Sequence, residues 1–185
     1  MCAATSTRWS CHDHRSGIVM APLVVLVGPS GAGKSTVGRL LASRFGTTFR
    51  DTDTDVENVA GMKVADVFID RGEEYFRDLE RVAVADALRE HDGVLALGGG
   101  AILDPHTREL LHGHRVVFID VDLADATKRV GFNRDRPLLL GNPRAQLHAM
   151  MEARRPLYEE VASAVVVSSG KTVTAVAAEI AEEIR

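Results

Sequence analysis

Residues 28–35 carry the residue types needed to hold a chain of phosphates. They read GPSGAGKS, which fits the pattern G-x-x-x-x-G-K-[ST] without a gap. Glycines let backbone N–H groups converge on phosphate oxygens, and a helix that begins just after them directs its positive end to the same place. Lys34 is expected to reach the terminal phosphates, and the Ser35 hydroxyl to hold Mg²⁺. The predicted phosphate-binding residues are Gly31, Ala32, Gly33, Lys34, Ser35 and Thr36.

Three aspartates stand at every second position a short distance further on, as Asp51, Asp53 and Asp55. A carboxylate beside a triphosphate can hold Mg²⁺ or accept the proton of a hydroxyl group. Capping of a following helix explains one such aspartate but not three. The apolar strand predicted over residues 94–97 ends in glycines and carries no carboxylate for the metal, which favours Asp51 in that role.

Three further segments are candidates for binding a second substrate. Residues 98–100 are all glycine and predict either a plain turn or a surface where a ligand lies against bare backbone. Arg77 lies in an amphipathic helix predicted over residues 73–90, where an arginine beside glutamates is usually a solvated ion-pair partner. Residues 131–143 have no periodicity, are rich in glycine and arginine, and predict a hinged lid, with an ordinary surface loop as the alternative.

Five apolar runs alternate with helical segments along the rest of the chain. The runs are mostly apolar rather than alternating, which is typical of strands buried on both faces. The pattern predicts an α/β fold, a five-stranded parallel sheet flanked by helices. We expect the helix over residues 73–90 to place Val82 in the core, and the helix that begins at residue 144 to end at Pro156.

The composition is that of an ordinary globular chain. Its 185 residues are 45% apolar and 26% charged with a net charge of −4, which argues against a nucleic-acid-binding protein. No apolar run approaches the ~20 residues that span a bilayer. Both cysteines lie in the first eleven residues, so no disulfide framework is expected, and a cytoplasmic protein is predicted.

The domain organisation follows from the same patterns. Residues 1–19 show no period and are expected to form a disordered tail, with Met20 as an alternative start of translation. Residues 20–185 are expected to form a single domain. A monomer is expected, because no heptad pattern is present.

From about Pro22 to its end, the sequence resembles the shikimate kinase family. Several motifs in the right order carry the resemblance: GPSGAGKST, the DTD segment at 51–53, YFRDLE around Arg77, LGGGA at 97–101, RPLL at 136–139 and RRPLY at 154–158. The resemblance implies a P-loop kinase fold with a mobile lid, and Mg²⁺ as cofactor. It also implies transfer of the γ-phosphate of ATP to the 3-hydroxyl of shikimate.

The resemblance also assigns roles to matching positions. Asp51 would assist the Mg²⁺ shell through water, and Asp53 would hydrogen-bond the hydroxyl that accepts the phosphate. The pair Asp53 and Asp55 is the alternative, but it requires a two-residue shift against the other motifs. Arg136 would come down with the lid onto the γ-phosphate, and Arg129 would flank the adenine.

The remaining roles concern the acceptor. Arg77 and Arg154 would clamp the shikimate carboxylate, since the planar guanidinium binds a carboxylate through two hydrogen bonds. Gly99 and Gly100 would contact the ring hydroxyls, and Gly98 would also belong to the substrate site. Phe68 and Phe76 would wall the pocket. The turn at residues 168–171 fits the family's adenine turn only loosely and is not assigned.

Two other classes of function remain open from the sequence. One is another small-molecule kinase, such as a gluconate or nucleoside monophosphate kinase, because gluconate also carries a carboxylate that two arginines could bind. The other is a non-catalytic ATP-binding module, which would be expected to lack Asp53 or the arginines.

Overall fold

The structure is a computed structural model that describes residues 21–130 and 143–184. The strands are β1 (Val24–Val27), β2 (Phe49–Asp51), β3 (Val94–Ala96), β4 (Val116–Asp120) and β5 (Ala164–Val167). The helices are α1 (Lys34–Phe45), α2 (Thr52–Ala60), α3 (Val64–Asp70), α4 (Gly72–Glu90), α5 (Pro105–Leu111), α6 (Leu123–Val130), α7 (Pro143–Val161) and α8 (Val173–Glu183). A short 3₁₀ helix (Ala101–Leu103) follows β3.

The strands form one parallel sheet in the order β2-β3-β1-β4-β5, which confirms the predicted architecture. The order reverses direction at β1, whose neighbours are β3 and β4. Ligands in open α/β sheets bind beyond the carboxyl ends of the strands at such a point. The phosphate-binding loop follows β1 and therefore lies at this edge.

The core lies on both faces of the sheet. On one face, β1, β3 and β4 pack against α1 and α8 through residues such as Leu26, Leu41 and Ile180. On the other face, the alternate residues of the same strands pack against α4, α5 and the end of α7. The central strands β1 and β3 are buried along their whole length, as their apolar sequences predict.

A third apolar cluster joins α2, α3 and the first half of α4 beyond the edge of the sheet, through Val56, Val67 and Phe76. Asp51 begins α2 by accepting a hydrogen bond from the Asp53 N–H with its side chain. This capping fixes the position of Asp51 and Asp53 relative to the end of β2.

Two expectations about helices are wrong. The helix that contains Pro156 does not end there but continues to Val161, because Tyr158 and Val161 are buried against the sheet and hold the last turn in place. Val82 is 60% exposed, whereas Val84 and Ala87 are buried in its stead. Phe76, Ala83 and Leu88 of the same predicted stripe are buried, so the error is confined to Val82.

Candidate active site

The phosphate-binding loop has the tight geometry that its glycines permit. Gly33 precedes α1 with φ of 96°, a left-handed conformation that favours glycine. A Cβ at Gly28 would lie 2.4 Å from the Ile119 carbonyl oxygen of the neighbouring strand β4. The Lys34 ammonium donates to the carbonyl oxygens of Gly28 and Pro29, at 2.7 and 3.1 Å, and so lies folded over the loop.

A hydroxyl and a carboxylate meet at the start of α1. The Ser35 hydroxyl donates a hydrogen bond of 2.6 Å to Asp51 Oδ2, although the two residues lie on different elements. Mg²⁺ prefers such oxygen ligands and is usually bound by one or two protein groups together with substrate phosphates and water. Within residues 21–130 and 143–184, no cluster of three or more His, Cys, Asp or Glu side chains could hold a metal on its own. The Ser35 and Asp51 pair fits a magnesium site that a bound phosphate completes.

A cavity of about 540 Å³ extends along the carboxyl edge of the sheet. The phosphate-binding loop lines it, together with Asp51, Asp53 and Gly99 and with Lys171, Thr172 and Val173. This volume is within the usual range for small-molecule sites. The cavity therefore joins the phosphate-binding loop to the aspartate segment and to the turn that follows β5.

Arg129 connects the phosphate-binding loop to that turn. Its guanidinium donates to the hydroxyl and the carbonyl oxygen of Ser168, at 3.0 and 2.9 Å, and more distantly to the carbonyl oxygen of Gly31 at 3.4 Å. Asp125, one turn earlier in α6, pairs with Arg129 and also accepts a hydrogen bond from the Gly170 N–H. The turn at residues 168–171, left unassigned from the sequence, thus lines the same cavity as Arg129.

Gly98 brings two carboxylates together by having no side chain. A Cβ on Gly98 would lie 2.5 Å from Asp53 Oδ1 and 2.8 Å from Glu80 Oε1. The Gly98 N–H donates to the buried hydroxyl of Thr52, at 3.0 Å. The first of the three glycines is therefore engaged with α2 and α4, and no substituent fits there.

Arg77 is held against the third glycine. Its guanidinium donates to Glu80 at 2.5 Å and to Glu73 at 3.2 Å, and its side chain is 19% exposed. A Cβ on Gly100 would lie 2.3 Å from Arg77 Nη1. Arg77 is thus largely buried and positioned by Glu80, and it is not the solvated ion-pair partner expected from a helix taken alone.

Aromatic rings lie beside this arginine, as the family resemblance implies. The rings of Phe68 and Phe76 have centroids 4.4 Å apart. The Arg77 guanidinium carbon lies 5.2 Å from the centroid of Phe76 and 6.0 Å from that of Phe68, within the range of cation–π contacts. The two rings therefore limit the positions that the guanidinium can adopt.

Arg154 and Tyr158 of α7 contact the middle glycine from the other side. Arg154 Nη1 donates to the Gly99 carbonyl oxygen at 3.1 Å, and the Tyr158 hydroxyl donates to the same oxygen at 2.6 Å. Arg77 and Arg154 thus lie next to consecutive glycines of one loop. The geometry brings two guanidinium groups to the carboxyl end of β3, close to Asp53.

The pKa of Glu80 is shifted by its surroundings in this region. Burial raises its pKa above the usual value, the Arg77 guanidinium opposes that shift, and the charge of Asp53 adds to it. Arg154 also acts electrostatically on Glu80. Four charged groups of the acceptor region therefore lie within interaction range of one another.

Sequence reasoning missed some residues here. Glu80 was interpreted only as a neighbour of Arg77, and Tyr158 only as part of the RRPLY motif. The signal for Glu80 was its spacing three residues after Arg77, which places both on one face of a helix.

Arg136 and residues 131–142 of the predicted lid lie outside the described residues, as does the predicted tail at 1–19. Pro143, the last residue of the predicted lid, is the first residue of α7.

The fold and the site together define a P-loop kinase. The loop, the hydroxyl–carboxylate pair and an acceptor region rich in arginine all lie at one edge of a parallel sheet in the order β2-β3-β1-β4-β5.

Comparisons with known proteins give the particular family. A family model described as shikimate kinase matches residues 30–185, so the chain belongs to the shikimate kinase family. The chain is 60% identical to the shikimate kinase of Streptomyces coelicolor over 82% of its own length and 89% of the relative. It is 54% identical to that of Thermobifida fusca over 88% and 95%, respectively.

Solved structures agree with the sequence comparisons. The shikimate kinase of Acinetobacter baumannii in complex with shikimate superposes with a TM-score of 0.84 at 35% identity, over 89% of this chain and 93% of that one. The Aquifex aeolicus enzyme superposes with a TM-score of 0.76 at 30% identity, over 87% and 95%. None of the helices in the described part of the chain is long and apolar enough to cross a membrane.

Proposed function

We propose that this chain transfers the γ-phosphate of ATP to the 3-hydroxyl of shikimate, giving shikimate 3-phosphate and ADP. The observation that carries the proposal is the placement of Arg77 and Arg154 beside consecutive glycines at the carboxyl end of β3. Two guanidinium groups on opposite sides of a loop suit a small acceptor with one carboxylate, because each guanidinium can form paired hydrogen bonds with it. A nucleoside monophosphate presents no carboxylate to such a pair.

Asp53 is the residue that orients the acceptor hydroxyl. It lines the same cavity as the phosphate-binding loop and Gly99, which supports a position of its carboxylate between the two substrates. Phosphoryl transfer depends mainly on positioning and on neutralising charge. Asp53 therefore acts first as a hydrogen-bond acceptor that aligns the hydroxyl, and second as the base that takes its proton.

The nucleotide lies along the cavity, with its phosphates on residues 31–36 and its base near Arg129 and the turn after β5. The backbone N–H groups at the start of α1 and the Lys34 ammonium bind the phosphates. Lys34 must then exchange its bonds to Gly28 and Pro29 for bonds to phosphate oxygens. Ser35 would hold Mg²⁺ directly and Asp51 would do so through water, and the bound ion would supply charge neutralisation for the transferred phosphate.

The lid at residues 131–143 and its Arg136 complete the proposal. An arginine that closes onto the γ-phosphate stabilises the charge of the transition state, and closure excludes water that would otherwise hydrolyse ATP. We also propose that residues 20–185 form a single kinase domain. We further propose that the protein acts as a monomer in the cytoplasm and binds neither nucleic acid nor membranes. Deletion of residues 1–19 should leave kcat unchanged, and a loss of turnover would overturn that boundary.

Coupled measurement of ADP release tests the function. The protein is supplied with ATP, Mg²⁺ and either shikimate, gluconate or AMP, at the same concentration. We expect release that depends on shikimate and exceeds release with the other two by at least about a hundredfold, since neither gluconate nor AMP holds a carboxylate and an acceptor hydroxyl on one rigid ring. Equal rates with gluconate would favour the rival small-molecule kinase, and no acceptor-dependent release would favour a non-catalytic module.

A further inference from the structure

Tyr158 lies in the acceptor region, and nothing above gives it a part in the reaction. Its side chain is 1% exposed, and its ring stacks on Phe118 of β4 with centroids 5.0 Å apart. The hydroxyl reaches out of this apolar setting and donates its 2.6 Å hydrogen bond to the Gly99 carbonyl oxygen. A buried hydroxyl with one short hydrogen bond and a stacked ring is held in one orientation.

The Gly99 carbonyl direction decides where the next N–H group points. A trans peptide unit is planar, so the carbonyl of Gly99 and the N–H of Gly100 point in opposite directions. The carbonyl points towards α7, where Tyr158 and Arg154 bind it, and the Gly100 N–H therefore points away from α7. Within the described part of the chain, this N–H donates no hydrogen bond.

Glycine alone would not hold that orientation. A peptide unit between two glycines rotates more freely than any other, because no Cβ restricts either side. A Cβ at Gly99 would meet Ser30 N and Oγ at 3.4 Å and the Gly28 carbonyl oxygen at 3.6 Å, so packing there does not lock the peptide. The turn is closed by a hydrogen bond from the Ala101 N–H to the Gly98 carbonyl oxygen at 3.1 Å, which is compatible with either orientation of its central peptide. The hydrogen bonds from α7 therefore select the orientation of the peptide between Gly99 and Gly100.

We propose that Tyr158 is a positioning residue, whose hydroxyl fixes the Gly99 carbonyl so that the Gly100 N–H stays directed at the bound acceptor. This inference rests on the proposed function, because it takes shikimate as the acceptor. Arg154 cannot replace the tyrosine, since it must also bind the acceptor carboxylate. Burial raises the pKa of Tyr158 to about 12, so the hydroxyl remains a protonated donor at neutral pH.

The test is Tyr158→Phe, which removes the hydroxyl and keeps the ring stacked on Phe118. Tyr75→Phe is the matched control, because Tyr75 is the only other tyrosine and is 42% exposed on α4. We expect Tyr158→Phe to raise KM for shikimate about five- to tenfold, the range for one lost hydrogen bond, and to change KM for ATP by less than about twofold. The control should match the wild type in both constants.

Two results would overturn the inference. A lower melting temperature with both KM values unchanged would mean that the hydroxyl only stabilises the fold. Equal rises in KM for shikimate and in KM for ATP would mean that the substitution loosens the whole active site and not the Gly99 peptide in particular. If Tyr158→Phe does not fold, Phe118→Leu tests the same idea, because it loosens the packing of the Tyr158 ring and keeps the hydroxyl. An unchanged KM for shikimate in Phe118→Leu would count against the inference. Absence of shikimate turnover in the wild type, by contrast, would contradict the proposed function itself.

Discussion

The carboxylates of Asp53 and Glu80 approach the same side of Gly98, where a side chain would otherwise stand. Asp53 comes from α2 and lines the nucleotide cavity, whereas Glu80 comes from α4 and binds Arg77. The glycine therefore lets the carboxylate for which we propose the task of orienting the acceptor and the carboxylate that binds Arg77 share one small space. Their different partners give the two acids different tasks.

Replacing Asp53 with Asn should abolish most of the turnover. The amide keeps the size of the side chain but cannot accept a proton, so we expect kcat to fall by about 10²- to 10⁴-fold. The dissociation constant of ATP should change by less than about twofold, because the phosphate-binding loop, and not Asp53, binds the phosphates of ATP. Steady-state kinetics and calorimetric titration measure the two quantities.

Asp55→Asn is the matched control for that change. Asp55 binds Arg50 at 2.7 Å and is the aspartate of the alternative pair. The Asp55→Asn variant should retain nearly all of the wild-type kcat. A larger loss of kcat in Asp55→Asn than in Asp53→Asn would transfer the role to the alternative pair.

Arg154→Lys should weaken binding of the acceptor and leave the nucleotide site intact. A lysine carries the same charge but cannot form paired hydrogen bonds with a carboxylate. We expect KM for shikimate to rise by at least about tenfold, with KM for ATP nearly constant. Arg155→Lys is the control, since Arg155 instead binds Asp120 at the end of β4. If Arg155→Lys raises KM for shikimate as much as Arg154→Lys does, Arg154 has no special part in binding the acceptor.

Asp51→Asn should change the dependence on metal. Asp51 Oδ2 lies 2.6 Å from the Ser35 hydroxyl, and loss of its charge weakens the oxygen cluster that receives Mg²⁺. We expect the Mg²⁺ concentration that gives half of the maximal rate to rise about tenfold at saturating ATP. An unchanged half-saturating concentration would exclude Asp51 from the metal site.

The buried Glu80 should make stability depend on pH in a defined direction. Its pKa in the folded protein is raised above the ordinary value of 4.5, mainly by burial. The folded chain therefore binds this proton more tightly than the unfolded chain does. The stability that this provides is complete below pH 4.5 and is lost as the pH rises through the raised pKa.

Comparison with Glu80→Gln isolates that effect, because other groups titrate in both proteins. The free energy of unfolding of the wild type, minus that of the variant, should fall as the pH rises from about 4 to 8. Urea unfolding at several pH values measures it. A difference that grows with pH would show that Arg77 lowers the pKa of Glu80 by more than burial raises it. The variant should also raise KM for shikimate, because Arg77 loses its charged partner.

The sheet and the phosphate-binding loop could be predicted because their signals are local. Residues 28–35 specify the loop by type and spacing, and the glycine after β1 is needed where Ile119 approaches. The strands are short apolar runs, each followed by a turn or helix signal. The C-terminal part of α7 was missed because a proline was taken to end a helix, whereas the burial of Tyr158 outweighs the hydrogen bond that Pro156 cannot form.

The acceptor region could be predicted only in part, because its contacts join residues far apart in the sequence. Arg77 and Arg154 were identified through motifs, but their positions on either side of the glycine loop depend on how α4 and α7 pack on the sheet. The hydrogen bond from Tyr158 to Gly99 spans 59 residues, and no spacing rule indicates it. The burial of Glu80 likewise depends on the absence of a side chain at Gly98.

A crystal structure with ADP, Mg²⁺ and shikimate tests the central claim most directly. The account predicts that nitrogen atoms of both Arg77 and Arg154 lie about 3 Å from the shikimate carboxylate, with Asp53 within hydrogen-bond distance of the 3-hydroxyl. A shikimate molecule bound with its carboxylate away from both guanidinium groups would contradict it.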